Sequence, residues 1–415
     1  MRPVTPIVHA FRRRATVVLL TLAAVAPASV YSQSFASSAS PTAVAAAATA
    51  QPLEWTRSDI DALIGVVESA AAEGLDPRDY NIAALREAAD SDVSSSLVMD
   101  IALRLASDFR YGRVSQSDRV DWHSDAQPNR LLLTSIIAQA VRENRIEEAF
   151  ERLLPQTDDY RALKRALAET PASDTARRTA LRVNLERWRW MPRELGDKHI
   201  FVNIPSYRVE LVENGDVVAE HAAVVGKPST PTPTFSTEVR GVRLNPTWAV
   251  PPGLKAEKLA MYRRNPAAAK RKGYSVKQGP DGPSIFQAPG PANTLGQVRL
   301  IMPNPYMIYL HDTPEKQLFG KTARALSSGC VRTERPVEFA ERLITDDGTD
   351  SSVVDAALAT RATREIGLNK AVPVHITYMT AEADAAGGVK LLSDPYGRDA
   401  RVARALGGRM ELASN

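Results

Sequence analysis

The sequence predicts an α+β protein, with a helical N-terminal domain followed by a β-rich domain that carries a helical lid insertion. Three observations predict it. Apolar residues recur at helical spacing from Leu53 to about Trp190, the period changes from about 3.6 to 2 near residue 199, and the strand pattern breaks between Pro252 and Gly296. The 415 residues allow two or three domains at roughly 100–200 residues each. Composition is that of a globular protein, 44% hydrophobic and 24% charged. A net charge of +4 gives no global basic footprint, and no nucleic-acid partner is expected.

Residues 1–28 read as an export signal. Arg12, Arg13 and Arg14 precede the apolar run Ala15–Val30, and Ala26-Pro27-Ala28 offers a small-residue cleavage site. The run is short for a membrane span, which takes about 20 apolar residues. The alternative is an uncleaved N-terminal anchor, and membrane contact is expected only through it. Residues 29–52 form a Ser/Ala tract too poor in large apolar residues to fold, hence a flexible linker.

The helical domain is expected over 53–195. Ser58 and Asp61 have capping-box spacing before Ile60, Leu63, Ile64 and Val67. Further helical periodicity covers Leu97–Phe109, Leu131–Val141 and Ala149–Leu154, and Leu181, Leu185 and Trp188 share a face of the last helix. The β-rich domain is expected over 196–383, with strands at His199–Asn203, Arg208–Glu213, Val217–Val225, Gly241–Leu244, Val298–Met302, Met307–Leu310 and Val372–Tyr378. Asn214-Gly215 supplies the two positive-φ positions of a type I′ hairpin turn. The interruption at 252–296 looks helical from Leu254 to Lys272 and then rich in Gly and Pro. An insertion of that length reads as a lid or substrate-binding subdomain. It carries eight Lys/Arg between Pro252 and Pro283, either a solvated face or an attractor for a carboxylate-rich substrate. Residues 384–415 are left as a C-terminal extension.

The chemistry concentrates in Tyr306–Pro336. Cys330 is the only cysteine, so no internal disulfide is possible; it is either a buried structural thiol or a nucleophile. His311 follows the expected strand Met307–Leu310, and Cys330 comes 19 residues later behind Ser327-Ser328-Gly329. A neighbouring imidazole activates a thiol, and a glycine before the nucleophile lets backbone amides approach a substrate carbonyl. A helix is expected to begin near Pro336. His9 falls in the signal and His123 in the helical domain, while His199, His221 and His375 fall on strands and read as structural. One Cys and six scattered His show no metal-ligand spacing, and no cofactor fingerprint or nucleophile elbow occurs. Neither metal nor cofactor is expected.

These residues resemble the signature of YkuD-type L,D-transpeptidase domains, a strand histidine followed by [S/T]-x-G-C, an apolar residue and Arg or Asn. Here they are His311 and Ser327-Ser328-Gly329-Cys330-Val331-Arg332. LRVNLERWRWMP (181–192), VNIPSY (202–207), VVGKPSTPTP (224–233), PNPYMIYLHDTP (303–314) and ITYMTA (376–381) are similar to the large, scaffold-bearing periplasmic subgroup of Gram-negative bacteria. The resemblance implies attack by Cys330 on diaminopimelate in a tetrapeptide stem, release of D-Ala, and resolution of the thioester by a second diaminopimelate amine, a 3→3 crosslink. It implies that His311 is the general base and acid, that the Gly329 and Cys330 amides hold the oxyanion, and that Tyr309, Ser328 and Arg332 bind substrate. The sequence leaves the pKa of Cys330 open, although the motif suggests a resting thiolate paired with protonated His311. The implied partners are peptidoglycan tetrapeptide stems as donor and acceptor, with cell-wall synthesis or envelope proteins beside them, in the periplasm.

Two departures stand out. Many relatives have His where Ser328 stands. Many large members insert a peptidoglycan-binding domain where only Lys164–Thr179 joins Tyr160 to the LRVNLERW helix. Other readings remain open at this point: an L,D-carboxypeptidase or other hydrolase, attachment of envelope proteins to peptidoglycan, and a non-catalytic cell-wall scaffold.

Overall fold

Seven helices of the N-terminal region are built largely where the periodicity places them. In the computed structural model they are α1 (Arg57–Ser69), α2 (Ile82–Asp90), α3 (Ser95–Tyr111), α4 (Arg130–Glu143), α5 (Ile146–Leu153), α6 (Asp158–Glu169) and α7 (Thr175–Trp190). The structure describes residues 53–90, 95–123, 128–384 and 386–407. The expected signal, the Ser/Ala linker up to residue 52, and His9 lie outside the described residues. The capping box of α1 is formed by Thr56 and Asp59, not Ser58 and Asp61. Thr56 Oγ1 accepts from the Asp59 amide at 3.2 Å, and Asp59 Oδ2 accepts from the Thr56 amide at 2.9 Å. Both pairs have the same spacing, and burial of Asp59 at 3% exposure decides between them.

Helix α7 departs from an amphipathic pattern, because its polar side chains are buried as well as its apolar ones. Glu186 Oε1 accepts from Trp190 Nε1 at 2.9 Å and from the Val114 amide at 2.8 Å, and its Oε2 pairs with Arg189 at 2.7 Å. Arg189 also donates to the Glu73 carbonyl, and Tyr160 Oη donates to the Glu73 carboxylate at 2.7 Å. On the other side Arg187 bonds Asp399 at 2.6 Å and Asn184 bonds Thr380 at 2.9 Å. From Glu54 onward the described residues form one compact unit.

The β region forms a ten-stranded sheet. Its strands are β1 (Trp122–His123), β2 (Lys198–Asn203), β3 (Arg208–Glu213), β4 (Asp216–Gly226), β5 (Thr234–Leu244), β9 (Val298–Ile301), β10 (Leu310–His311), β11 (Ala325–Ser327), β12 (Val331–Thr333) and β13 (Arg364–Thr377). Nine of them run in the order β1-β5-β13-β2-β3-β4-β12-β10-β9, β11 pairs with β4 off this path, and β9 pairs again with β5, so the sheet closes on itself. Ile200, Val202, Val209, Leu211, Val242 and Val331 point inward at 0% exposure, as strand alternation requires. The hairpin Asn214-Gly215 has φ of 52° and 92°, the expected pair of left-handed residues. His123 sits on β1 in this sheet rather than in the helical layer, stacked on Tyr306 with ring centroids 4.6 Å apart.

The strand expected at Met307–Leu310 instead begins at Leu310 and includes His311. Met307 has a φ of +55°, and Asn304 replaces a strand neighbour. Its Oδ1 accepts from the Ile308 amide at 3.1 Å, and its Nδ2 donates to the Ile308 carbonyl at 2.8 Å.

The insertion is a small subdomain with strands of its own, rather than a purely helical lid. Helices α8 (Pro252–Arg264) and α9 (Pro266–Arg271) pack on a three-stranded sheet of β6 (Trp248–Ala249), β8 (Gly282–Gln287) and β7 (Tyr274–Gly279). Trp248, Leu259, Ala269, Tyr274, Ile285 and Leu295 form its separate core. After the sheet come α10 (Pro336–Asp346), α11 (Ser352–Thr360), a hairpin of β14 (Ala381–Ala383) with β15 (Val389–Leu391), and α12 (Asp399–Ala405). The chain beyond residue 383 is tied back to the body. Tyr396 Oη donates to the Gly226 carbonyl at 2.6 Å, and Asp399 receives Arg187. Among the described residues no helix is long and apolar enough to cross a membrane.

Candidate active site

Cys330 sits in a turn held by its neighbours. Strand β11 pairs with β4 in parallel, the chain reverses through Gly329 at a φ of +117°, and β12 returns antiparallel to the same β4. A side chain at Gly329 would be strained by that φ, which explains the glycine. Ser327 Oγ accepts from the Gly329 amide at 3.1 Å and donates to the Cys330 carbonyl at 2.6 Å. Thr232 Oγ1 donates to the Gly329 carbonyl at 2.7 Å, and the Lys227 amide donates to the Ser327 carbonyl at 2.9 Å. The segment 224–233 therefore clamps the Cys330 loop.

Register brings the expected residues together. Leu310 pairs with Val331 and His311 with Arg332 in parallel, and the Val331 amide donates to the Tyr309 carbonyl at 3.0 Å. Leu310 and Val331 point into the core at 1% and 0% exposure. By alternation Tyr309, His311, Cys330 and Arg332 share the opposite face. Strand β9 adds Arg299 to it, register-paired with His311 and lying over the Tyr309 ring at 4.4 Å from the centroid.

The His311 ring is buried at 4% exposure, and its Nδ1 lies 2.5 Å from the Asp312 carbonyl. A carbonyl can only accept, so Nδ1 carries the proton and Nε2 is left as the acceptor. The Asp312 carboxylate accepts from the Thr313 amide at 2.6 Å and the Gln297 amide at 2.8 Å, and pairs with Lys316. These bonds fix the carbonyl that orients the imidazole.

Burial lowers the His311 pKa to about 4, opposed by the Asp312 carbonyl and assisted by Arg332 and Arg299. Burial raises the Cys330 thiol, opposed by a backbone bond at Tyr309 and by the charges of Arg299 and Arg332. Both shifts favour the neutral forms. Both directions run against the expected thiolate–imidazolium pair, because both groups lie in a poorly solvated face. The thiol makes a weak contact with the Met307 carbonyl at 3.6 Å.

The remaining expected residues divide. The Gly329 amide, expected as an oxyanion donor, is already engaged by Ser327 Oγ, which leaves the Cys330 amide of the two. Arg332 is half-buried and ion-paired with Glu315. Ser328 is exposed beside the loop. His199, His221 and His375 are held by Gly196, Glu334, Ser236 and Leu195, away from the Cys330 face. Sequence reasoning missed Arg299 and the Asp312 carbonyl. The alternation in Val298-Arg299-Leu300 marks Arg299 as outward-facing, but nothing local indicates which strand it joins. Among the described residues no group of three or more His, Cys, Asp or Glu is placed to hold a metal.

Comparison with known proteins bears on this geometry. Residues 197–356, which include Arg299, His311 and Cys330, match the L,D-transpeptidase catalytic domain YkuD. Residues 46–167 match the Scaffold domain. A putative L,D-transpeptidase of Haemophilus influenzae is 32% identical over 285 residues, 63% of this chain and 57% of that protein. The chain thus spans a little over half the length of that relative. Among solved structures, the catalytic domain of the E. faecium L,D-transpeptidase acylated by ertapenem is 16% identical over 44% of this chain and 98% of its own, with a TM-score of 0.23. An L,D-transpeptidase from Mycobacterium smegmatis is 13% identical over 44% of this chain and 58% of its own, also at 0.23. Superpositions this loose carry no weight beside the two domain matches. Residues 197–356 are thus a YkuD L,D-transpeptidase catalytic domain, joined in this chain to a Scaffold domain at residues 46–167.

Proposed function

We propose that this chain is an L,D-transpeptidase that forms 3→3 crosslinks between diaminopimelate residues of peptidoglycan stem peptides. The observation that carries the reading is the shared face of Cys330 and His311 on adjacent strands, with the imidazole tautomer set by Asp312. Nε2 takes the thiol proton as Sγ attacks the diaminopimelate carbonyl, and the Cys330 amide faces the oxyanion. His311 then gives that proton to the departing D-Ala nitrogen, leaving a thioester. The side-chain amine of a second diaminopimelate attacks the thioester, its proton passes through His311 to the thiol, and the crosslink is released. Such a substrate places the protein outside the cytoplasm, in keeping with the export signal read in residues 1–28.

Purified disaccharide-tetrapeptide incubated with the wild type and with Cys330→Ala, followed by mass spectrometry, tests this. A 3→3 dimer from the wild type alone is expected. Tripeptide without dimer would move the chain to a carboxypeptidase, and equal turnover by Cys330→Ala would remove the nucleophile assignment. Carbapenems are expected to acylate Cys330 in the wild type, shown by an intact-mass increase on that residue.

A further inference from the structure

Arg299 has no part in the steps above, yet it faces them. It lies in register with His311, its guanidinium is held over Tyr309, and among the described residues it makes no ion pair with a carboxylate. The other arginine of this face, Arg332, is taken by Glu315, and the next one along the row, Arg243, is taken by Glu365. Arg299 Nε is buried with no hydrogen-bond acceptor. A buried guanidinium N–H with no acceptor is costly unless a ligand supplies one.

The order of strands fixes what that ligand is. Cys330 adjoins β12, His311 is on β10 and Arg299 on β9, so His311 stands between the nucleophile and Arg299 at strand spacings of about 4.8 Å. The scissile carbonyl must sit on the Cys330 sulfur. The departing nitrogen must sit over His311, which protonates it. The leaving residue therefore extends toward β9, and its carboxylate is only two bonds beyond that nitrogen. We infer that Arg299 is a specificity residue that binds the terminal carboxylate of the donor stem, so that the site selects a donor ending one residue past the scissile bond. This rests on the proposed transpeptidase reading. A stem one residue longer carries its carboxylate about 3.8 Å further along the chain, past the guanidinium.

The test measures acyl-enzyme formation on Cys330 with a tetrapeptide stem, the same stem ending in a carboxamide, and a pentapeptide stem, in the wild type, Arg299→Gln and Arg299→Lys. The wild type should prefer the free carboxylate. Arg299→Gln should lose roughly 10- to 100-fold in kcat/KM on that donor, mainly through KM, and much less on the carboxamide. Arg299→Lys should recover part of the loss. Equal losses on both donors, or a wild type indifferent to the carboxamide, would overturn the inference and leave the transpeptidase reading intact. Iodoacetamide alkylation of Cys330 reports site integrity. A wild type that is alkylated but never acylated by any stem would overturn the transpeptidase reading, and this inference with it.

Discussion

Two regions hold charged side chains away from water, and they differ in what meets those charges. In the helical layer Glu186 and Arg189, at 0% and 1% exposure, face each other, and the Glu186 oxygens are also met by Trp190 and Val114. On the face of Cys330 and His311, among the described residues, Arg299 makes no ion pair with a carboxylate, His311 Nε2 is left as an acceptor, and Cys330 makes a long contact to the Met307 carbonyl. The first arrangement spends its polar groups on each other and holds α7 between the helical layer and the sheet. The second leaves polar groups open for a substrate. Burial of charge thus serves architecture where it is paired and chemistry where it is not.

The largest expected effect breaks the first region. Arg189→Met strands the Glu186 carboxylate in the interior and should cost about 3–5 kcal/mol in urea unfolding. Adding Glu186→Gln should recover part of that loss, and an unchanged midpoint in the single variant would refute the pairing argument. Next comes Gly296→Ala. Gly296 has a φ of +58°, and a Cβ there would overlap the Asp312 carboxylate. Displacing Asp312 tilts His311, so acylation by a carbapenem should slow on the order of 10- to 100-fold while the fold survives. Acylation at the wild-type rate would separate Asp312 from the orientation of the base.

A pH series sharpens the contrast further. With the His311 pKa near 4, the base is unprotonated at neutral pH, and acylation should fall only as pH drops through about 4. The sign for stability agrees. Between about 4 and the ordinary value of 6.5 the unfolded chain holds a proton that the folded chain excludes, so this group weakens folding as pH falls through that window. With the thiol raised, Cys330 alkylation should climb only above the ordinary thiol pKa of about 8.5. A rate already at plateau near neutral pH would restore the thiolate–imidazolium pair. The smallest effect concerns the insertion. Lys270, Arg271 and Lys272 are exposed. Changing all three to Gln should raise donor KM about severalfold at low salt and leave the melting temperature unchanged. An unmoved KM would make the run a solvated face.

Much of this was legible in the residues. The change of period near residue 199 located the β region, Asn214-Gly215 set a hairpin whose twist matches its strands, and a lone cysteine behind a glycine identified the candidate nucleophile. Local chemistry suffices for such features, since they depend on residues a few positions apart. Short strands were harder. Tyr274–Gly279 and Gly282–Gln287 sit among Gly, Pro and Lys, and their pairing with Trp248–Ala249 makes them strands. The sequence by itself determined the α+β class, the order of its parts, and the identities of Cys330 and His311. Only the tertiary structure decided that the sheet closes on itself, that the Asp312 carbonyl sets the His311 tautomer, that the Gly329 amide is occupied, and that Arg299 joins the face of Cys330 and His311. Each of these depends on strand pairing and desolvation set by residues distant in the chain, and neither is encoded in local spacing.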